Sequence, residues 1–374
     1  MGIRNPLKHE YEKLMRFLEN VYGHFYNLFP LNYPQAWKEK NTDFSNILII
    51  EENNKICSLV RIFPLTLIHN NVKIKFAGIG AVSTDYDERG KGYMTILLKE
   101  AIKKMEKEGY PLSILWGDRH RYINFGYENS GTVVNITITT RGFEKIKINS
   151  IKAKRYLGER EILLKIIETY NRKNYRVERD FEYFYEIYKK MFTSLYYTEG
   201  NNNFTYVVIN EQGAETKVYE YGGDPVIVLK ILKFLSERFG KNKFYMEFPN
   251  FEEIPEIILK TCSSWNISNT GMIKIVNLKK TLETFLPMIE KRFPNGEEII
   301  FEIENKEKIG VKKENGKVKF IYDEGKNHIK LKEEEIVRLF FNFPHIGIKM
   351  DEDLKTLFKT FLPFDLYFPS LDHI

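Results

Sequence analysis

The chain has 374 residues, a formal net charge of +6, 43% hydrophobic and 29% charged residues, and two cysteines. That balance excludes a disordered chain and a disulfide scaffold, and the length points to about two or three domains. The basic excess is small and spread out, unlike the dense Lys/Arg stripe of a nucleic-acid binder, and no apolar run approaches the ~20 residues that cross a bilayer. By segment, 21 basic residues stand against 16 acidic ones in 1–150, and 18 against 18 in 271–374, so part of the excess sits at the N-terminal end. Residues 1–8 carry no hydrophobic signal core and no Ser or Thr at the sixth position of a myristoylation pattern, so the cytoplasm is the expected location.

Along the chain, Tyr11, Leu14, Met15, Leu18, Val21 and Tyr22 recur at helical spacing until Pro30 and Pro34 break the pattern. Strands are expected over 46–51, over 55–63 after a turn at Glu52-Asn53-Asn54, and over 72–76 after His69-Asn70-Asn71. The apolar stretch 76–84 runs into the glycine-containing turn 85–92. Beyond it Met94, Leu97, Leu98, Ala101, Ile102 and Met105 predict an amphipathic helix, with Lys99, Lys103, Lys104 and Lys107 off its apolar stripe. A strand feeding a glycine turn and a helix start leaves unpaired backbone N–H groups that can face an anion, so this is a candidate phosphate cradle. Residues 112–116 read as a short buried strand leading to Gly117, Asp118 and the segment 122–127. Residues 132–138 alternate β-formers and are expected to close the same sheet.

Arg89-Gly90-Lys91-Gly92-Tyr93-Met94 resembles the Arg/Gln-x-x-Gly-x-Gly/Ala signature of the GNAT N-acetyltransferase superfamily. Tyr122-Ile123-Asn124-Phe125-Gly126-Tyr127 resembles its later Tyr-x-x-x-Gly-aromatic segment, in matching order and spacing. Met94 stands where the simplest members have a small residue; the same replacement is common in the enhanced-intracellular-survival (Eis) branch, to which Val82 through Thr95 is similar. The resemblance implies acetyl-coenzyme A as cosubstrate and a primary amine as acceptor, in the family a polyamine-like compound, an aminoglycoside or a lysine. It implies that the backbone of Val82, Ser83 and Thr84 pairs with the pantetheine arm. Gly90, Gly92, Tyr93, Met94 and Thr95 would offer N–H donors to the pyrophosphate, with Arg89 and Lys91 adding charge, and Gly117 and Asp118 would line the acetyl end. Asp118 is also placed to cap the turn before Tyr122. Tyr122 falls at the family's general-acid position, where a phenol of reference pKa about 10 suits protonation of a departing thiolate. The family's general base is the C-terminal carboxylate, here that of Ile374, in place of the usual aromatic ending. A homo-oligomer, in the family typically a hexamer, is implied as well.

Further on, 151–190 reads as largely helical with a polar interruption at 171–174, followed by a hairpin over 205–209 and 216–220 and a helix over 225–239 that ends at Gly240. This order is again GNAT-like but lacks the Arg-x-x-Gly-x-Gly turn, so a degenerate second domain without cofactor is expected. Residues 271–283 read as strand then helix, followed by β-rich stretches at 298–303, 316–322 and 329–331 and a helix over 333–343. That pattern resembles the sterol-carrier-protein-like domain of Eis proteins. The expected fold class is therefore α+β with α/β character: tandem GNAT-like domains of mixed, mostly antiparallel sheets over 1–150 and 151–270, then a sterol-carrier-like domain over 271–374 whose terminus reaches the active site. Lipid or acyl-coenzyme A binding without turnover is the rival function. Cys57 and Cys262 form no CxxC pair and are expected to be buried thiols. His9, His24, His69, His120, His328, His345 and His373 form no HExxH pattern, so no metal is expected.

Overall fold

The computed structural model describes residues 2–25, 27–70, 72–200, 203–322, 325–342 and 347–373. The chain opens with β1 (Gly2–Arg4), β2 (Ile47–Glu52), β3 (Lys55–His69), β4 (Val72–Thr84), β5 (Leu112–Leu115) and β6 (Glu128–Ser130), all in a first sheet. It crosses to a second sheet for β7 (Val133–Thr139) and β8 (Lys154–Arg155), returns for β9 (Tyr175–Val177), and then lays down β10 (Thr193–Glu199), β11 (Phe204–Asn210), β12 (Glu215–Gly222), β13 (Lys243–Pro249) and β14 (Cys262–Ser268) in the second sheet. β15 (Gly271–Ile275) comes back to the first sheet, and β16 (Glu298–Ile303), β17 (Lys308–Glu314), β18 (Lys317–Ile321) and β19 (His328–Leu331) form a third. Spatial orders are β1-β2-β3-β4-β5-β15-β6 with β9 beside β3, β14-β7-β13-β12-β11-β10-β8, and β18-β17-β16-β19. The pairs β4–β5, β12–β13 and β16–β19 are parallel and the rest antiparallel, so the sheets are mixed and mostly antiparallel, as expected. No helix among the described residues is long and apolar enough to cross a membrane.

The helix Tyr93–Lys107 forms where its apolar spacing predicts it. Leu97, Leu98, Ala101 and Met105 are fully buried against Val60, Ile62, Ala77 and Ile79 of β3 and β4. Burial of each large side chain contributes about 1.5–3 kcal/mol, which ties the start of this helix to the end of β4.

Residues 132–138 do form a strand, but it lies in the second sheet between β13 and β14, while β15 and β6 occupy the edge of the first. Alternating β-formers specify a strand with two faces and leave its partner open. Here Ile136 and Ile138 bury with Phe143, Phe244 and Val228, all of the second core. Between 151 and 190 the helices Arg160–Asn171 and Phe181–Ile187 are separated by β9, which adds to β3 of the first sheet. Three residues are too few for a period-2 pattern to show. Cys57 is buried as expected, whereas Cys262, at the start of the edge strand β14, is only half-buried; both thiols are free.

The last residues are held by buried polar contacts from the middle of the chain. Asp372 accepts hydrogen bonds from Arg179 Nε at 2.9 Å and Nη2 at 2.6 Å, and Nη2 also meets Glu220 at 2.8 Å. All three side chains are essentially inaccessible to solvent. Tyr183 Oη donates to Asp372 at 3.1 Å, Lys190 Nζ to the Leu371 carbonyl at 2.9 Å, and Tyr175 Oη bonds both the N–H and the carbonyl of Tyr367. Removing one partner of a buried ion pair leaves the other charge uncompensated. Asp372→Asn is therefore expected to destabilise the protein by about 3 kcal/mol or more, seen as a lower Tm; an unchanged Tm would mean the tail is a passive cover. Burial acts to raise the Glu220 pKa, yet Arg179 and Lys173 hold it below the usual 4.5. A carboxylate with a depressed folded-state pKa stabilises fully above its unfolded value and loses that contribution as pH falls through the folded value. Acid titration followed by near-ultraviolet circular dichroism should thus show loss of tertiary signal only below pH 4.5 for this cluster, and at higher pH in the Asp372→Asn protein.

Candidate active site

β4 and β5 pair in parallel only from Phe76–Gly78 to Leu112–Ile114. β4 then stays with β3 as far as Thr84, through a bulge where Ala81 takes φ +52°, whereas β5 ends at Leu115. The two strands part and leave a cleft. Along one wall, Ser83 is buried and Val82 and Thr84 half-buried, and Ser58 Oγ donates to the Ser83 carbonyl at 2.8 Å, fixing this stretch against β3.

Past Thr84 the chain turns through Gly90 (φ +84°) and Gly92 (φ +79°), conformations that L side chains resist, and open space lies where a Cβ would project from either. The helix Tyr93–Lys107 begins at Gly92 with no side chain capping it, so its first N–H groups are available to a ligand. Tyr93 turns its ring inward and donates to Glu52 at 2.8 Å; Met94 is half-buried and Thr95 exposed. Arg89 is exposed, stacks 3.9 Å from the Tyr86 ring and reaches the Thr84 carbonyl at 3.4 Å, while Lys91 pairs with Glu88 at 2.6 Å. Open glycines, an uncapped helix start and two exposed cations fit a phosphate-bearing ligand. Beside them Glu52, Cys57 and Glu88 each bring one possible metal-ligand atom within 4.8 Å of the others, a grouping that the sequence spacing did not reveal.

On the opposite wall Asp118 Oδ1 accepts from His120 N at 2.9 Å and caps the turn Arg119–Tyr122, the capping role that its position allowed. Gly117 is exposed, yet a Cβ there would stand 2.5 Å from Tyr122 Cε2, so only glycine lets this ring pack down. Tyr122 is 6% exposed, and burial raises the pKa of its phenol with Arg121 opposing, so the group is protonated at neutral pH. Behind it Tyr127 is fully buried and shares a 2.7 Å hydrogen bond with Ser113, whose hydroxyl also meets the Ala77 carbonyl at 2.6 Å.

Val82, Gly117, Asp118 and Tyr122 converge on one cavity of about 350 Å³. Its other walls are largely aromatic, from Tyr22, Phe29, Tyr33, Trp37, Phe63 and Trp116, with His24, Asn32 and Arg121 also at the lining. Tyr22 Oη donates to the Val82 carbonyl at 3.2 Å, and burial pushes the Tyr22 phenol up to about 12. The Arg61 guanidinium lies 4.2 Å from the Trp37 ring and 4.5 Å from that of Phe63, backing this wall. Trp116 ties the cavity to the tail: its Nε1 donates to the Thr270 carbonyl at 2.8 Å, and the His373 ring stacks on it at 4.0 Å. Burial, with Lys217 and Lys190 nearby, pushes His373 down to about 3. Ile374, named above as the bearer of the base, lies outside the described residues.

The sequence of residues 2–130 matches the acetyltransferase (GNAT) domain family. That segment contains both walls of the cleft. The match covers about a third of the chain. The whole fold is similar to a GCN5-related N-acetyltransferase from Anabaena variabilis, with 16% identity, 100% of both chains covered and a TM-score of 0.72. It is similar to a probable N-acyltransferase from Enterococcus faecalis, with 19% identity, 98% of this chain and 99% of that one covered, and a TM-score of 0.71. Eis1 from Mycobacterium abscessus shares 10% identity over 91% of this chain and 90% of its own, with a TM-score of 0.65. A search of curated proteins finds no match to this chain. At such identities these likenesses describe the fold, and the domain match carries the enzyme class. Gly117→Ala is expected to push the Tyr122 ring from its place and destabilise the protein by about 1–3 kcal/mol, measured by thermal unfolding; an unperturbed Tm would show that the ring has room to move.

Proposed function

We propose that the cleft transfers an acetyl group from acetyl-coenzyme A to a primary amine. The observation that carries this proposal is the convergence of Val82, Gly117 and a buried, protonated Tyr122 on one cavity, beside an uncapped helix start. Acetyl-coenzyme A would supply the activated acetyl thioester. The amides of Gly90 to Thr95 would bind its pyrophosphate, with Arg89 and Lys91 adding charge, and the backbone of Val82, Ser83 and Thr84 would align the pantetheine arm as an added strand. Tyr122 would give its proton to the departing thiolate. The acceptor must be a neutral amine when it attacks the thioester, and we assign removal of its proton in the site to the carboxylate of Ile374, supported by the stacking of the preceding His373 on Trp116. The aromatic walls suit an amine that enters as a cation over π faces, with Asp118 as the carboxylate at the cavity lining. A polyamine-like compound, an aminoglycoside-like amine or a lysine side chain meets that description.

We further infer a three-part organisation: the acetyltransferase unit over 1–150, a degenerate GNAT-like unit over 151–270, and a sterol-carrier-like unit over 271–374 that delivers the terminus. A homo-oligomer, with the hexamer as first candidate, and a cytoplasmic location complete the proposal, the latter supported by two free thiols.

Tyr122→Phe should lower kcat by about 10²-fold or more while leaving the Kd for acetyl-coenzyme A unchanged; undiminished turnover would remove Tyr122 from the chemistry. Deleting residues 373–374 should abolish turnover and spare cofactor binding, and a fully active truncation would assign the base elsewhere. With the Tyr122 pKa raised, the alkaline limb of the kcat profile should lie above about pH 10.

A further inference from the structure

The second sheet repeats the split of the first. β12 and β13 are parallel and pair only from Glu215–Val218 to Lys243–Met246. Beyond that β12 stays with β11 to Gly222, and β13 stays with β7 to Pro249. A cavity of about 790 Å³ fills the opening, more than twice the 350 Å³ of the first cleft. Crevices at the carboxyl ends of parallel strands are favoured ligand sites.

The chemistry of this cleft differs from that of the first. Its helix, Pro225–Phe239, starts with a proline that has no N–H, and Asp224 caps Val226 N at 2.7 Å. A diphosphate would meet a carboxylate there instead of free donors. The positive charge at the lining comes from Lys165, Arg172, Lys173 and Arg176. Lys165 pairs with Glu199, and Arg172 with Glu168 at 2.5 Å, while Arg176 Nη1 is turned to the Lys173 carbonyl at 2.7 Å. The Lys173 ammonium has no carboxylate within 4.0 Å among the described residues; it lies 5.4 Å from the Tyr170 ring and 5.3 Å from that of Tyr221. Burial lowers its pKa, Arg179 adds to the effect, and Glu220, Glu252 and Asp372 oppose it from a distance. Of the lining carboxylates, Glu220 is taken by Arg179, Tyr188 and Tyr206, Glu247 by Lys217, and Glu252 acts on Lys173 only from beyond 4.0 Å. The half-buried Lys173 ammonium, facing tyrosines, therefore has no close counter-ion among the described residues, and the surrounding acids, Glu252 among them, disfavour a multiply charged ligand.

We propose that the β12–β13 cleft is a second ligand site, taking a small organic monocarboxylate with an aromatic or unsaturated body: the carboxylate meets Lys173 and the body packs against Tyr221 and Phe248. Isothermal titration of the full-length protein with sodium benzoate tests this, with benzyl alcohol and benzylamine as neutral and cationic counterparts. Benzoate is expected to bind, with the alcohol and the amine at least about tenfold weaker, and Lys173→Met should weaken benzoate by a similar factor while Lys173→Arg retains most of the affinity. Circular dichroism checks that the Lys173→Met protein is folded. A second readout uses the wild-type protein alone: in alkaline buffers of differing ionisation enthalpy, benzoate binding should take up protons, because an anion beside Lys173 raises its pKa. Absence of benzoate binding, equal affinity in Lys173→Met, tighter binding of benzylamine, or binding without proton uptake would each overturn the proposal.

Discussion

Parallel pairing of β4 with β5 stops after Gly78 and Ile114, because β4 follows β3 through the bulge at Ala81 while β5 ends at Leu115, flanked by β15. Backbone groups beyond that point have a strand partner on one side only. Unpaired amides inside a protein cost free energy unless water or a ligand meets them, so the parting of the strands both creates the cleft and makes it receptive to an extended chain with amide groups. The glycine turn continues this logic. Gly90 and Gly92 adopt left-handed conformations with nothing above them, and the helix they introduce is anchored by Leu97, Leu98, Ala101 and Met105 rather than by a capping side chain.

The three sheets are not laid end to end along the chain. β7 leaves the first part of the sequence to pair with β13 and β14, β9 and β15 return to the first sheet, and the tail passes between them. Arg179 and Asp372 close this arrangement with a pair that has no contact with solvent. Such a pair adds little net stability over a well-packed apolar one, but its geometry is directional. Its position supports a role in holding the chain end, with His373 brought against Trp116 at the cavity wall.

The cradle was legible in the sequence because every part of it is local: an apolar strand, Gly90 and Gly92, and a stripe at three- and four-residue steps. Tyr122 and Gly117 were legible for the same reason, although their mutual need, a Cβ clash at 2.5 Å, is visible only in three dimensions. The aromatic wall was not. Tyr22 read as part of an amphipathic helix, Phe29, Tyr33 and Trp37 fall around the prolines that break it, and nothing in their spacing tells core from cavity. The Arg179–Asp372 pair spans 193 positions, and sequence alone gives no reason to join the two residues. β7 was recognised as a strand and given to the wrong sheet, since alternation fixes faces and not neighbours. The second cleft escaped notice because its helix start lacks the glycine signature that marks the first; its charge comes from Lys173, at the polar break in a stretch expected to be helical.

The most direct measurement is a crystal structure of the protein with acetyl-coenzyme A. Density for the diphosphate at the amides following Arg89, with the pantetheine arm beside Val82 and the thioester sulfur near the Tyr122 hydroxyl, is the predicted result. Density for the nucleotide in the β12–β13 cleft, or anywhere away from the turn at Gly90 and Gly92, would contradict it.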